Sequence, residues 1–164
     1  MQLSDYVAKI DKPETKSIPI ESTLGEIYDL MSVEGLQYVA VERNGNFAGV
    51  IGLMSILKGI MVSPQTFNKL EARDLLVTKV PVLTEKNSVE DLIDALKEKK
   101  TKAVPYVVQG KFHCLLTQED LLNLLRDLLE QDHGILEDVE AKGEIFMANP
   151  LVQKVMKTLS DIGI

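Results

Sequence analysis

The chain carries two copies of one pattern, and this internal repeat constrains its fold more than any other feature. Each copy reads as a short strand, a helix, two strands joined by a tight turn, and a closing helix. From Thr23 onward the copies keep a constant spacing of 65 residues, which matches Thr23 with Ser88 and Gly52 with Thr117. A copy of this size buries little apolar surface alone, so we expect the two copies to pack together.

Matched signals mark the first helix of each copy. Thr23 with Glu26, and Ser88 with Asp91, have the spacing of a capping box, in which a hydroxyl and a carboxylate close off a helix N-terminus. Each box precedes an apolar stripe at i, i+3, i+4 and i+7, which predicts a helix with one buried side. The stripes are Leu24, Ile27, Tyr28 and Met31 in the first copy and Val89, Leu92, Ile93 and Leu96 in the second.

The strands are indicated by apolar runs around characteristic residues. Asn44-Gly45 and Gln109-Gly110 lie between two apolar runs in their copies and predict hairpin turns, because both central residues tolerate positive φ. A Pro-containing strand is predicted at the start of each copy, at residues 18–20 and 80–82. The sequence therefore predicts an α/β (α+β) fold of two pseudo-symmetric repeats, each a small sheet with two helices.

Composition narrows the class of protein. Of the 164 residues, 45% are hydrophobic and 26% charged, as in ordinary soluble domains. The net charge of -7 disfavours DNA, RNA or an anionic membrane as partners. A single cysteine, Cys114, excludes a disulfide within the chain, and no stretch approaches the ~20 apolar residues of a membrane span. We expect a cytoplasmic protein.

Few side chains suggest catalysis. His113 and Cys114 are adjacent on a predicted strand, so they point to opposite faces and cannot readily act as a base and nucleophile. The other histidine, His133, precedes Gly134 at the end of a Leu-rich helix, where it suits capping. The methionines are interpreted as packing residues. We expect no enzyme and no metal site.

The ends of the chain extend beyond the repeats. We divide the sequence into an N-terminal helical segment (1–15), a first repeat (16–66), a second repeat (67–130), an acidic connector (131–148) and a C-terminal amphipathic helix (149–164). Asn149 as N-cap and Pro150 in the first turn mark the start of that last helix. Its apolar stripe is expected to dock on its own protein or a dimer mate, although it could also enter another protein's groove.

The combined pattern resembles a tandem pair of cystathionine β-synthase (CBS) domains, a Bateman module, over about residues 16 to 130. The matching features are the Pro-containing strand before a capped helix, the AVPYVV strand, the Gly-containing hairpin turn and the closing CLLTQEDLL. The resemblance implies that the two sheets stack about a pseudo-two-fold axis. It also implies a cleft on each side that commonly holds an adenosine-containing ligand.

The resemblance further implies roles for particular residues. Asp120 would accept hydrogen bonds from ribose hydroxyls, and Thr117 would donate to a phosphate or ribose oxygen, which suits a carboxylate and a hydroxyl at a helix start. Val80, Ala103, Val104 and Pro105 complete the candidate ligand-binding set, the first three flanking the adenine. Candidate ligands are AMP, ADP, ATP, S-adenosylmethionine and cyclic dinucleotides. No bound cofactor is otherwise indicated.

Two observations qualify that assignment. Thr117-x-x-Asp120 is also a capping box for the following helix, which requires no ligand, and the two roles can coexist. The first repeat has Gly52 and Ser55 at the matching positions, so we expect no tight nucleoside binding there. In the second repeat Cys114 replaces the family's usual glycine, and its bulk would narrow the path to a phosphate.

We therefore expect a stand-alone regulatory protein that senses an adenosine-containing ligand in the second repeat. The alternative is a ligand-independent interaction adaptor that uses the C-terminal helix. The Leu-rich helix after Thr117 has an apolar face too wide for a lone surface helix. The resemblance implies homodimers formed through such helices.

Overall fold

The structure is a computed structural model and describes residues 1–10, 12, 16–62, 65, 69–98, 102–133 and 150–161. Strands and helices follow one another in the order that the repeat predicts. In chain order the elements are α1 (Leu3–Lys9), β1 (Ser17–Pro19), α2 (Leu24–Glu34), β2 (Tyr38–Arg43), β3 (Asn46–Gly52), α3 (Leu53–Val62), α4 (Ala72–Leu75), β4 (Leu83–Thr84), α5 (Val89–Glu98), β5 (Ala103–Val108), β6 (Lys111–Thr117), α6 (Gln118–His133) and α7 (Pro150–Asp161).

The strands form one three-stranded sheet per repeat. In the first sheet β2 is central, with β1 parallel to it and β3 antiparallel. The second sheet has the order β4-β5-β6, with β4 parallel to β5. The predicted α/β class and the two-repeat architecture are confirmed.

The strand that opens the second repeat lies later than the sequence indicated. Residues 80–82 have no strand structure, and β4 begins at Leu83. Ile18 pairs with Val41 in the first sheet and Leu83 pairs with Tyr106 in the second, so the spacing of 65 residues extends through the first strand. The prediction at 80–82 was wrong because pairing with the central strand sets the position of the first strand, and the nearby proline does not.

Both predicted hairpin turns are confirmed. Asn44 and Gly45 have φ of 52° and 75°, and Gln109 and Gly110 have φ of 50° and 81°. Positive φ at both central residues is the backbone of a two-residue turn that matches the twist of paired strands. The turns therefore fix how the hairpin arms of each repeat pair.

The two capped helices also agree with the sequence. Thr23 and Glu26 exchange hydrogen bonds at the start of α2, and Ser88 and Asp91 do so before α5. Every stripe residue of α5 is buried, but Tyr28 of α2 is largely exposed, contrary to expectation. Leu24, Ile27 and Met31 of α2 belong to the apolar cluster and Leu30 packs against it, so the buried side of this helix turns away from Tyr28.

The chain divides into two compact units that do not coincide with the two repeats. One contains residues 1–12, 85–104 and 116–164, and the other contains residues 13–84 and 105–115. In the second unit the turn of β5 and β6 meets the first repeat: the Phe47 amide donates to the Gly110 carbonyl (2.9 Å), and the Phe47 and Phe112 rings stack with centroids 6.0 Å apart.

The first unit contains both terminal helices. α1 packs against α5 and buries Leu3, Tyr6 and Val7. α7 packs against α5 and α6 and buries Val152 and Val155, and it forms ion pairs between Lys154 and Asp94 and between Asp161 and Lys97. Asn149 and most of the acidic connector lie outside the described residues. No helix in the described ranges is long and apolar enough to span a bilayer.

Candidate functional site

The start of α6 brings together the two polar residues that the sequence singled out. The Asp120 carboxylate accepts hydrogen bonds from the Thr117 amide (2.6 Å) and the Thr117 hydroxyl (2.9 Å), both at Oδ2. The Asp120 amide in turn donates to the Thr117 hydroxyl (3.4 Å). The capping box is therefore formed, and it holds the carboxylate in a fixed position at the helix N-terminus.

A third donor reaches the same carboxylate oxygen from the N-terminal segment. Lys12 forms an ion pair with Asp120 through Nζ and Oδ2, and both side chains are largely buried, with 19% and 10% of their surface exposed. Among the described residues no donor contacts Oδ1. The carboxylate is thus crowded on one oxygen and open on the other.

Tyr6 fixes the backbone at the same point. Its hydroxyl donates to the main-chain carbonyl of Asp120, and the ring is fully buried. Burial raises the pKa of the Tyr6 hydroxyl well above its usual range, and the nearby charges of Asp120 and Asp127 raise it further. The phenol therefore stays protonated and remains a donor at any physiological pH.

The other predicted ligand-binding residues are less accessible or lie elsewhere in the fold. Val104 is completely buried, so it exposes no surface to a ligand in this conformation, and Ala103 is 9% exposed. Both belong to the unit that contains Thr117 and Asp120. Pro105 is buried and Val80 partly buried, and both belong to the other unit, with Val80 three residues before β4.

The first repeat has a different arrangement at the equivalent place. Gly52 lies opposite Tyr38 in the β2–β3 ladder, and a Cβ built on Gly52 would lie 3.0 Å and 3.1 Å from two carbons of the Tyr38 ring. Tyr38 is the counterpart of Ala103 at the spacing of 65 residues. The Tyr38 ring therefore takes the space that a side chain at position 52 would need, so Gly52 and Tyr38 complement each other.

His113 and Cys114 differ in burial, as expected for adjacent residues of β6. Cys114 is buried, whereas the neighbouring His113 is exposed and lies edge-on to the Tyr106 ring. Within the described ranges no three histidine, cysteine or acidic side chains are grouped as metal ligands would be. Of the methionines interpreted as packing residues, Met31 is buried in the core, whereas Met54 and Met61 are exposed on α3, where packing would need an interface.

Sequence reasoning missed Lys12, Tyr6 and Tyr38. Lys12 and Tyr6 are more than 100 residues from Asp120 in the chain, and no local motif connects them to it. The repeat did contain a signal for Tyr38. At the spacing of 65 residues, Tyr38 and Gly52 of the first repeat match Ala103 and Thr117 of the second, so the larger residue of the pair is on the other strand.

Comparisons with known proteins agree on one family. The CBS domain model matches the chain twice, at residues 7–62 and 72–127, which together make up more than half of it. No curated protein matches by sequence.

Solved structures share the fold at low sequence identity. A CBS-domain-containing protein from Bacillus anthracis is 18% identical with a TM-score of 0.62, the match covering 69% of this chain and 85% of that one. The CBS domain of a membrane protein from Sphaerobacter thermophilus is 19% identical with a TM-score of 0.62, covering 76% and 87%. CBSX2, solved in complex with AMP, is 17% identical with a TM-score of 0.60, covering 70% and 89%. The chain therefore belongs to the CBS-domain family and carries two CBS domains in tandem.

Proposed function

We propose that this CBS-domain pair senses an adenosine-containing ligand at its second repeat. The observation that carries the proposal is the state of Asp120. The residue is 7% exposed, its Oδ2 is fully engaged, and Oδ1 has no donor among the described residues. Oδ1 belongs to a largely buried side chain, and a ligand hydroxyl would supply the donor that no described residue supplies.

The neighbouring groups support a sugar-containing ligand. Thr117 is partly exposed beside Asp120, so its hydroxyl could donate to an oxygen of the same ligand. The related fold of CBSX2 was solved with AMP, and we extend that ligand class to this chain as part of the proposal. AMP, ADP, ATP, S-adenosylmethionine and cyclic dinucleotides are the candidates. Of the predicted adenine-flanking residues we propose Ala103 for this role, because it belongs to the same unit as Thr117 and Asp120 and is not completely buried.

The first repeat is proposed not to bind such a ligand. Gly52 supplies no hydroxyl and Ser55 no carboxylate, and the Tyr38 ring lies where a side chain at position 52 would project. Ligand occupancy would therefore be one-sided. A ligand that prefers one arrangement of the protein shifts its population by that difference in affinity, which is how the module would regulate.

A thermal-shift and calorimetric titration with each candidate ligand tests the proposal. A ligand that binds only the folded state raises the melting temperature. We expect a rise for the wild type and for Ser55→Ala, and none for Asp120→Asn. Since Asp120→Asn also weakens the helix cap, the quantity compared is the ligand-induced change within each variant. Stabilisation that survives in Asp120→Asn would contradict the proposed site.

We also propose that the protein is a homodimer, with α3 rather than α6 as the main contact. The leucines of α6 at 121, 124 and 125 are buried, and α7 packs against this helix in the same chain. In contrast, α3 exposes a set of large apolar side chains: Leu53, Met54, Leu57, Met61 and Val62. Sedimentation should show a dimer that Met61→Glu dissociates and that the control Met156→Glu, at an exposed methionine of α7, preserves. A monomeric wild type would refute this.

The adaptor alternative is less well supported. It needs an apolar side of α7 that a partner can reach, whereas Val152 and Val155 are fully buried within their own unit. We also propose a cytoplasmic location, because a chain with a single cysteine cannot form an internal disulfide, which suits a reducing compartment.

A further inference from the structure

We propose that Lys12 is a specificity-determining residue of the second-repeat site, acting as a built-in competitor that a ribose diol must displace from Asp120. The inference rests on the proposed function. Lys12 belongs to none of the sequence motifs that led to that function. Its starting point is the contact between the Lys12 ammonium and Asp120 Oδ2.

The two oxygens of the Asp120 carboxylate limit how this residue can bind a diol. A carboxylate usually captures a vicinal diol by offering one oxygen to each hydroxyl. Oδ2 already receives the Thr117 amide, the Thr117 hydroxyl and the Lys12 ammonium, whereas Oδ1 receives no described donor. With Lys12 in place, Asp120 can serve one ligand hydroxyl well and the second poorly.

The three donors to Asp120 Oδ2 differ in how easily a ligand can displace them. The Thr117 amide and hydroxyl belong to the capping box and are three residues from Asp120, so removing them would open the helix start. Tyr6 binds the backbone carbonyl and does not occupy the carboxylate. Lys12 is held at this carboxylate by a long, flexible side chain, so it is the donor that a diol can replace at least cost to the fold.

The position of Lys12 in the chain determines which contacts remain when its ammonium is displaced. α1 is fixed to the same unit through main-chain hydrogen bonds from Leu3 to Asn87 and from Val89 to Met1, and through Tyr6. Lys12 is three residues beyond the end of α1. Displacing its ammonium would free the Lys12 side chain while α1 itself stays docked, so a diol can take its place without undocking the N-terminal helix.

The test uses the full chain, with adenosine and 2′-deoxyadenosine as probes. Neither nucleoside carries a phosphate, so a gain in affinity cannot be confused with a lost phosphate contact. The variant is Lys12→Met, which keeps the length of the side chain and removes the charge. The matched control is Lys16→Met, because Lys16 forms an ion pair with Glu34 in the first repeat.

We expect Lys12→Met to tighten adenosine binding by about tenfold, equivalent to about 1.4 kcal/mol. The gain for 2′-deoxyadenosine should be much smaller, since that ligand lacks the second hydroxyl, and Lys16→Met should leave both affinities unchanged. Melting curves confirm that the variants are folded.

Each contrary result has a distinct meaning. Equal or weaker adenosine binding in Lys12→Met, with clear binding to the wild type, overturns the competitor role and leaves the proposed function standing. An equal gain for both nucleosides shows that Lys12 does not act through the diol and also overturns the inference. Absence of adenosine binding in the wild type and in Lys12→Met overturns the inference. The proposed function falls only if none of AMP, ADP, ATP, S-adenosylmethionine and the cyclic dinucleotides raises the melting temperature of the wild type.

Discussion

Adding one methyl group at Gly52 tests the account of why the first repeat differs from the second. The added Cβ would lie 3.0 Å and 3.1 Å from two carbons of the Tyr38 ring, whereas non-bonded carbons prefer about 3.5–4.0 Å. The ring would have to move by about half an ångström, and overpacking of this kind costs about 1–3 kcal/mol. We therefore expect Gly52→Ala to lower the free energy of unfolding by about 2 kcal/mol.

The effects of substitutions at Gly52 and Tyr38 should also depend on each other. In a Tyr38→Ala background the ring is absent, so Gly52→Ala should become neutral or stabilising, because replacing glycine in a strand gains about 0.5–1 kcal/mol. The coupling energy in the double-mutant cycle should then be about 2 kcal/mol or more. Urea unfolding of the four proteins measures it, and a chain of this size should show a melting shift of about 2–4 °C per kcal/mol.

A second glycine provides the matched control. Gly25 is an exposed residue of helix α2. A Cβ built there would have the Thr23 hydroxyl oxygen as its nearest neighbour, at 3.8 Å. Gly25→Ala should therefore stabilise the protein by about 0.5–1 kcal/mol, as expected for alanine in a helix. Additive effects of Gly52→Ala and Tyr38→Ala would refute the idea that the Tyr38 ring fills the position of the missing side chain.

Three other perturbations follow from the contacts. Gly49→Ala should destabilise the fold by at least about 2 kcal/mol in urea unfolding, because φ is +157° and the new Cβ would meet the Val77 carbonyl at 2.6 Å; a neutral effect would contradict this contact. Val155→Asp, which buries a charge in α7, should cost about 3 kcal/mol, whereas the exposed control Met156→Asp should change stability by less than about 0.5 kcal/mol; equal effects would show that α7 is not docked as described. Hydrogen bonds from the Ser88 amide and the Asn87 side chain lower the pKa of Asp91, so its stabilising effect is full above the ordinary pKa and is lost as the pH falls through the lowered value. Asp91→Asn should therefore be less stable than the wild type at pH 7 and lose that deficit in acid, and a deficit independent of pH would argue against the cap.

The features that the sequence predicted correctly are mostly local ones. The capping boxes at Thr23 and Ser88 each need two side chains three residues apart, and the turn at Asn44-Gly45 needs only two residues that tolerate positive φ. Such devices act within a few residues, so their spacing is visible in the chain. The repeat then supplied the architecture because both copies gave the same succession of local signals.

The features that the sequence did not reveal depend on packing between distant segments. The position of β4 is set by its pairing with β5, not by the proline nearby, and Tyr28 is exposed because the apolar cluster contacts only part of α2. Lys12 reaches Asp120 because α1 is docked beside α5. A lysine in an N-terminal segment has many possible partners, and only the fold selects among them.

The candidate site shows the same division. The Thr117–Asp120 pair was found from its spacing, and its capping geometry is confirmed. The spacing could not show that one carboxylate oxygen is saturated and the other open, because the Lys12 ammonium that completes the first oxygen comes from the N-terminal segment. That asymmetry of the carboxylate is what makes ligand competition a specific hypothesis.

Titration of isotope-labelled protein with AMP, followed by amide chemical shifts, tests the central claim most directly. The account predicts saturable shifts concentrated at Thr117, Asp120 and their neighbours, with Gly52 and Ser55 changing little. Saturable shifts centred on Gly52 and Ser55, or shifts at Thr117 that persist unchanged in Asp120→Asn, would contradict it.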